Sequence, residues 1–238
     1  MRAGWMRTTA AGAVLATVGG AGTGVAAASD RLVAELKLTA HRPNQPTGGT
    51  LHLVWPTGED GKPKTQRVGV FRLPAGTRVN EAAIPACTAT DAELRARGGA
   101  ACPEGSALGP GRVTFVSGIG SPLDPVALDN DWYHAPGQIV GVFHPPGSPA
   151  PVVAVNRVDI EGSAFVARPA LPPGYPPGSK TAPKQSDQEI FGLSTTRGAF
   201  LTTPPRCPRS GRWISHAKMI FEDGSVQRTT SVTRCRRR

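Results

Sequence analysis

Leu32, Ala34, Leu36 and Leu38 alternate with Val33, Glu35, Lys37 and Thr39, the period of two that a half-buried β-strand imposes. The same alternation returns at Leu51, Leu53 and Trp55, after a turn-rich run from Arg42 to Gly49. A second turn over 57–63 precedes a strand expected over 66–73. Further strands are expected over 112–117, 138–143, 152–158, 163–168, 186–191 and 199–203. The last element is a hairpin: 213–221 and 225–233 flank Asp223-Gly224, a strong two-residue turn signal. With that turn, Cys235 would lie opposite Arg212.

One helix breaks the pattern. Thr90 followed three residues later by Glu93 spells a capping box, and Asp91 to Arg97 carries acid early and base late, as the helix dipole favours. Gly98-Gly99 should stop it. Two turns of helix do not persist alone in water, so its existence depends on what it packs against.

Composition sharpens the fold class. The 238 residues include 29 glycines and 24 prolines, which suits short strands joined by turns. The expectation is an all-β chain, an immunoglobulin-like β-sandwich with one short helix and long Pro/Gly-rich loops. The Pro-rich stretch 169–183 cannot be central sheet, because proline has no amide hydrogen to donate. It reads as an extended surface loop or as a polyproline ligand. One domain is expected over 29–238, since the part beyond this stretch looks too small to bury its own core.

Residues 1–28 read as a secretory signal peptide: Arg2 and Arg7, an Ala/Gly/Val/Leu middle, and Ala26-Ala27-Ala28 before Ser29. The apolar middle is too short and too rich in Gly and Thr to span about 30 Å of hydrocarbon comfortably. Export brings an oxidising compartment, where an even cysteine count means disulfides. Cys87 with Cys102 and Cys207 with Cys235 is the pairing that needs least rearrangement, although crossed pairings are open to four cysteines. The first bridge would close a loop of about 15 residues around the helix, a stabilisation of roughly 3 kcal/mol in the chain-entropy account.

The formal charge is +10, and its placement matters more than its sum. Arg206, Arg209, Arg212, Arg234, Arg236, Arg237 and Arg238 crowd the last segment, where only Glu222 and Asp223 oppose them. Such an end attracts anionic cell-wall polymer or a lipid surface by Coulomb steering, or is a solvated tail. Nucleic acid is not expected, because the charge is not interleaved with aromatic stacking platforms.

Catalytic signatures are sparse. Gly-x-Ser-x-Gly, His-Glu-x-x-His and a phosphate-binding Gly-Lys-Ser/Thr loop do not occur. Ser215-x-x-Lys218 falls in strand-like alternation, whereas that motif works at a helix start. His41, His52, His134, His144 and His216 lack metal-ligand spacing, and no cofactor is expected. Asp129-Asn130-Asp131 reads as an Asx turn, with calcium as the rival reading. Trp132-Tyr133 beside it is a small aromatic contact site or core.

The runs Cys87-Thr88-Ala89, Ala101-Cys102-Pro103-Glu104-Gly105-Ser106-Ala107-Leu108-Gly109 and Thr203-Pro204-Pro205-Arg206-Cys207-Pro208-Arg209-Ser210-Gly211-Arg212-Trp213 resemble those of a group of secreted actinobacterial β-domain proteins. The resemblance implies export and β architecture, and no activity. The cysteine spacings are also similar to those of secreted subtilisin-inhibitor-like proteins. That similarity implies a reactive loop at Pro208, Arg209 and Ser210, with Arg209 offered to a trypsin-like protease. The sequence therefore points to an exported, non-enzymatic β-protein that binds anionic envelope material, with a serine-protease inhibitor as the alternative.

Overall fold

The computed structural model describes residues 30–59, 62–116, 124–169 and 182–237. The expected signal peptide, most of the Pro-rich stretch and Arg238 lie outside them. Among the described residues fifteen strands occur in chain order: β1 (Val33–Leu38), β2 (Gly49–Val54), β3 (Gln66–Arg72), β4 (Arg78–Val79), β5 (Ala107–Val116), β6 (Val126–Ala135), β7 (Gln138–His144) and β8 (Ala154–Glu161). They continue with β9 (Ala164–Ala167), β10 (Ala182–Ile190), β11 (Ser194–Thr195), β12 (Gly198–Ala199), β13 (Leu201–Thr202), β14 (Arg212–Phe221) and β15 (Val226–Arg234). The α-helix among the described residues, α1, spans Asp91–Arg97.

The chain is mostly β, but it does not divide into the two facing sheets of the expected sandwich. Eleven strands form one antiparallel sheet in the order β1-β2-β10-β5-β6-β7-β8-β9-β3-β14-β15, and the sheet curls until its two edges meet. An odd number of alternating strands leaves the first and last running the same way. Leu32 N–H meets Gln227 Oε1, Leu36 N–H meets Ser231 Oγ at 2.9 Å and Leu38 N–H meets Thr233 Oγ1 at 3.0 Å, a constant offset of 195 residues. Ser231 Oγ also donates to the Leu36 carbonyl at 2.7 Å. The barrel-like seam is thus sewn by side chains that replace a backbone ladder and leave neither edge open to a foreign strand.

Tertiary pairing overrides local signals in three places. β6 was not anticipated, because Asp129-Asn130-Asp131 has turn chemistry and poor β propensity. Yet Leu128, Asn130, Trp132 and His134 are the buried positions of a regular alternation, disguised only by two polar residues on the inward side. β5 starts at Ala107, five residues before the strand expected there, and runs through Gly109-Pro110-Gly111 with a register shift between Ala107 and Gly109. A bulge is where a strand tolerates such residues.

The final hairpin is the third place. Arg212 pairs with Arg234, and Phe221 N–H donates to Ser225 O at 3.0 Å. The loop therefore holds Glu222, Asp223 and Gly224, with Gly224 at φ 80, and not Asp223-Gly224 alone. The one-residue slip moves Cys235 from opposite Arg212 to opposite Gly211, whose carbonyl accepts its N–H at 2.9 Å.

Both sulfur bridges join the expected pairs, Cys87–Cys102 with Cα atoms 4.7 Å apart and Cys207–Cys235 with 5.8 Å. The capping box on α1 is complete, with Thr90 Oγ1 accepting from Glu93 N–H and the Glu93 carboxylate accepting from Thr90 N–H. Those bonds hold the Glu93 carboxyl below the usual range. Leu94, fully buried, points into a small core with Val140, Val142 and Ala135 on the outer face of β6 and β7. Arg157 of β8 donates to Asp91 at 2.9 Å and to the Ala89 carbonyl at 3.0 Å, pinning the helix to the wall.

Candidate functional site

The inward positions of the curled sheet are apolar nearly all the way round. They line a partly open cavity of about 470 Å³ walled by Leu51, Leu53, Phe71, Leu128, Phe143 and Phe165, among others. A barrel of about eight strands is just filled by its own side chains, and diameter grows with strand number. Eleven strands leave space for something else. The volume falls within the range of roughly 300–1,000 Å³ typical of small-molecule sites.

We call the end where β1 begins the lower end. At the upper end, Phe200 and Leu201 are buried to within one per cent and pack with Ile84 across the top of the barrel. Asn80 N–H to Phe200 O at 2.8 Å and Thr47 N–H to Leu201 O at 3.0 Å tie that plug to the rim. Toward the lower end the cavity wall includes Phe115, Pro183, Thr65 and the exposed residues Pro169 and Glu222.

Inside this apolar wall sits one polar cluster. Gln188 Oε1 accepts from Asn130 Nδ2 at 2.9 Å and from Trp132 Nε1. Gln188 Nε2 donates to Ser186 Oγ at 2.7 Å, with longer contacts of 3.3 Å to Asn130 Oδ1 and the Arg112 carbonyl. Two glycines make room for it: a Cβ on Gly111 would fall 1.7 Å from Gln188 Oε1, and one on Gly141 would fall 2.7 Å from the Trp132 ring. A second polar pair, Trp55 Nε1 to Gln66 Oε1 at 3.1 Å, lies farther round the wall. Apolar lining with a few convergent neutral polar groups is the make-up of a binding pocket.

Of the residues singled out from sequence, Asn130 and Trp132 fall in this inward cluster and the rest lie elsewhere. Asp129, Asn130 and Asp131 alternate across the strand, so Asn130 points inward while Asp129 takes Arg112 Nε at 2.7 Å and Gly147 N–H at 3.0 Å outside. Those partners keep the Asp129 carboxyl below its ordinary range. The pleat therefore splits the proposed calcium cluster between two faces. Among the described residues no group of three or more His, Cys, Asp or Glu is placed to hold a metal ion.

The aromatic neighbours Trp132 and Tyr133 are likewise split, Trp132 to the cavity and Tyr133 to the core beneath α1. Burial raises the Tyr133 phenol above its usual pKa. Ser215 is buried and Lys218 lies on the opposite side of the same strand, so Ser215-x-x-Lys218 assembles no nucleophile and base.

Arg206, Arg209, Arg212, Arg234, Arg236 and Arg237 are all exposed at the upper end, around the Cys207–Cys235 bridge. None of the six pairs with a described acidic side chain. Arg212 and Arg234 lie directly opposite one another. Pro208, Arg209 and Ser210 form a tight turn closed by Gly211 N–H to Pro208 O at 2.9 Å.

The cavity was not legible from sequence, because its walls come from strands far apart in the chain. The signal that was present is the inward-facing polar set Asn130, Ser186 and Gln188 amid apolar alternation. No protein family, curated protein or solved structure matches this chain.

Proposed function

We propose that this protein is an exported, non-catalytic binder that carries an apolar small molecule inside its barrel. The observation behind the reading is the 470 Å³ cavity walled by aliphatic and aromatic side chains. Burying an apolar ligand there releases about 25 cal/mol for each Å² removed from water, enough for micromolar binding without any ionic contact. Export rests on the leader pattern together with two disulfides, which persist in oxidising compartments. Titration with N-phenyl-1-naphthylamine, a neutral probe that brightens in apolar surroundings, tests the binding: a saturable one-to-one enhancement is expected. A flat titration, together with no apolar adduct on the purified protein in native mass spectrometry, would remove the idea.

A second reading concerns where such a carrier works. Six exposed arginines without acidic partners at the upper end support docking to an anionic wall polymer or lipid surface. Sedimentation with purified cell wall and with anionic vesicles should show binding at low salt that fades as the Debye length shrinks. The rival use of the same end, inhibition of a trypsin-like protease by Arg209, is separated by titrating trypsin with the protein and with Arg209→Ala. Only an inhibitor slows hydrolysis, and only then does the substitution matter.

A further inference from the structure

The composition of the cavity wall carries the binding reading one step further, to the class of molecule bound. Of the described residues lining it, none is Lys, Arg or His, and the one carboxylate, Glu222, is exposed near the lower end. A ligand carrying a carboxylate into this space would leave water with no cation to receive it, and an unpaired buried charge is heavily penalised. The charge the protein does concentrate, the six arginines, lies outside the barrel at the upper end.

The polar cluster adds a direction. Gln188 is saturated, since both lone pairs of Oε1 and the hydrogens of Nε2 have partners. Ser186 Oγ accepts from Gln188, but no acceptor for its own hydrogen exists among the described residues. Asn130 keeps one spare amide hydrogen, yet only Ser186 of these two lines the cavity. Ser186 is 6 % exposed, so bulk water does not satisfy it freely. The buried cluster thus ends at the wall on a hydroxyl whose hydrogen has no acceptor among the described residues, so a ligand oxygen placed there gains a bond the protein does not otherwise make.

We propose that the barrel selects an uncharged lipid-like molecule bearing an oxygen acceptor, an ester or ketone carbonyl, which receives the Ser186 hydroxyl while the chain lies along the apolar wall. This rests on the binding reading above. It excludes the free fatty acid anion as the preferred ligand.

The test displaces N-phenyl-1-naphthylamine from the full protein with dodecane, methyl dodecanoate and dodecanoate at pH 8. The ester should bind at least about tenfold more tightly than the carboxylate, from the desolvation of the charge, and roughly fivefold more tightly than the alkane, from one net hydrogen bond. Ser186→Ala should erase the advantage of the ester over the alkane, with the fold of the variant checked separately by its far-UV circular dichroism and urea midpoint. Carboxylate binding as tight as the ester, or an ester preference untouched by Ser186→Ala, overturns the inference and leaves the apolar-carrier reading standing. Failure of the naphthylamine probe and all three ligands to bind overturns both.

Discussion

The two faces of β6 to β8 look into different kinds of interior. Outward, Val140 and Val142 meet Leu94 of a helix held close by the Cys87–Cys102 bridge, and the side chains fill the gap. Inward, Trp132, Phe143 and Val158 face a wall on the far side of an eleven-stranded circuit, and a cavity remains. The same strands therefore support both close packing and an open pocket. Separation of the opposing surface, and not hydrophobicity, decides which, because a helix settles onto a sheet at contact distance whereas a barrel wall is held off by the number of strands.

That contrast is sharpened most by truncating matched leucines. Leu94→Ala, in the filled core, should destabilise by about 2–5 kcal/mol in urea denaturation, since it opens a void where every neighbour was in contact. Removing the adjacent staple with Cys87→Ser and Cys102→Ser should cost about 3 kcal/mol for a bridge separated by 15 residues. Leu128→Ala, on the cavity wall, should cost only about 1–2 kcal/mol, because its side chain already lacks partners on one side. Equal losses at Leu94 and Leu128 would mean that the barrel interior packs as tightly as the helix face.

A smaller effect is expected at Gly141. A methyl there meets the Trp132 ring at 2.7 Å and pushes it toward the cavity. Gly141→Ala should weaken naphthylamine binding by about fivefold, the scale of 1 kcal/mol of overpacking, and change the Trp fluorescence. Unaltered affinity would show that Trp132 does not border the ligand.

The smallest effect belongs to the exposed charges. Arg112 and the Gly147 N–H hold the Asp129 carboxyl below its ordinary pKa, so its contribution is present above the normal carboxylate value of about 4 and is lost as pH falls through the lowered one. Asp129→Asn should therefore lower stability slightly at neutral pH, and the deficit should shrink to nothing as pH falls below about 4, which leaves the variant with a flatter acid limb. A difference that grew with acidity would reverse the assignment.

Legibility followed the range of the interaction. The capping box at Thr90 and Glu93 and the alternation in β1, β14 and β15 are set within a few residues, and both were visible in the chain. β7 was visible as a strand, but its run Ile139-Val140-Gly141-Val142-Phe143 lacks alternation because both faces are covered. The run shows burial without naming what does the burying. Asp129-Asn130-Asp131 misled because a turn and an outward-inward-outward strand use the same residues. The decision between them lies in the partners facing Asn130 from β5, β7 and β10, namely Gly111, Phe143 and Gln188, all beyond the reach of a local turn signal.

By itself, the sequence determined the β class, the single capped helix and the end of the chain at which positive charge collects, since each is fixed by neighbours a few bonds away. Only the tertiary structure decided that the strands close into one circuit and not two facing sheets. The reason is that closure depends on Gln227, Ser231 and Thr233 finding the backbone of β1 from 195 residues away. The cavity follows from that closure, because the distance between facing walls is set first by how many strands make the circuit.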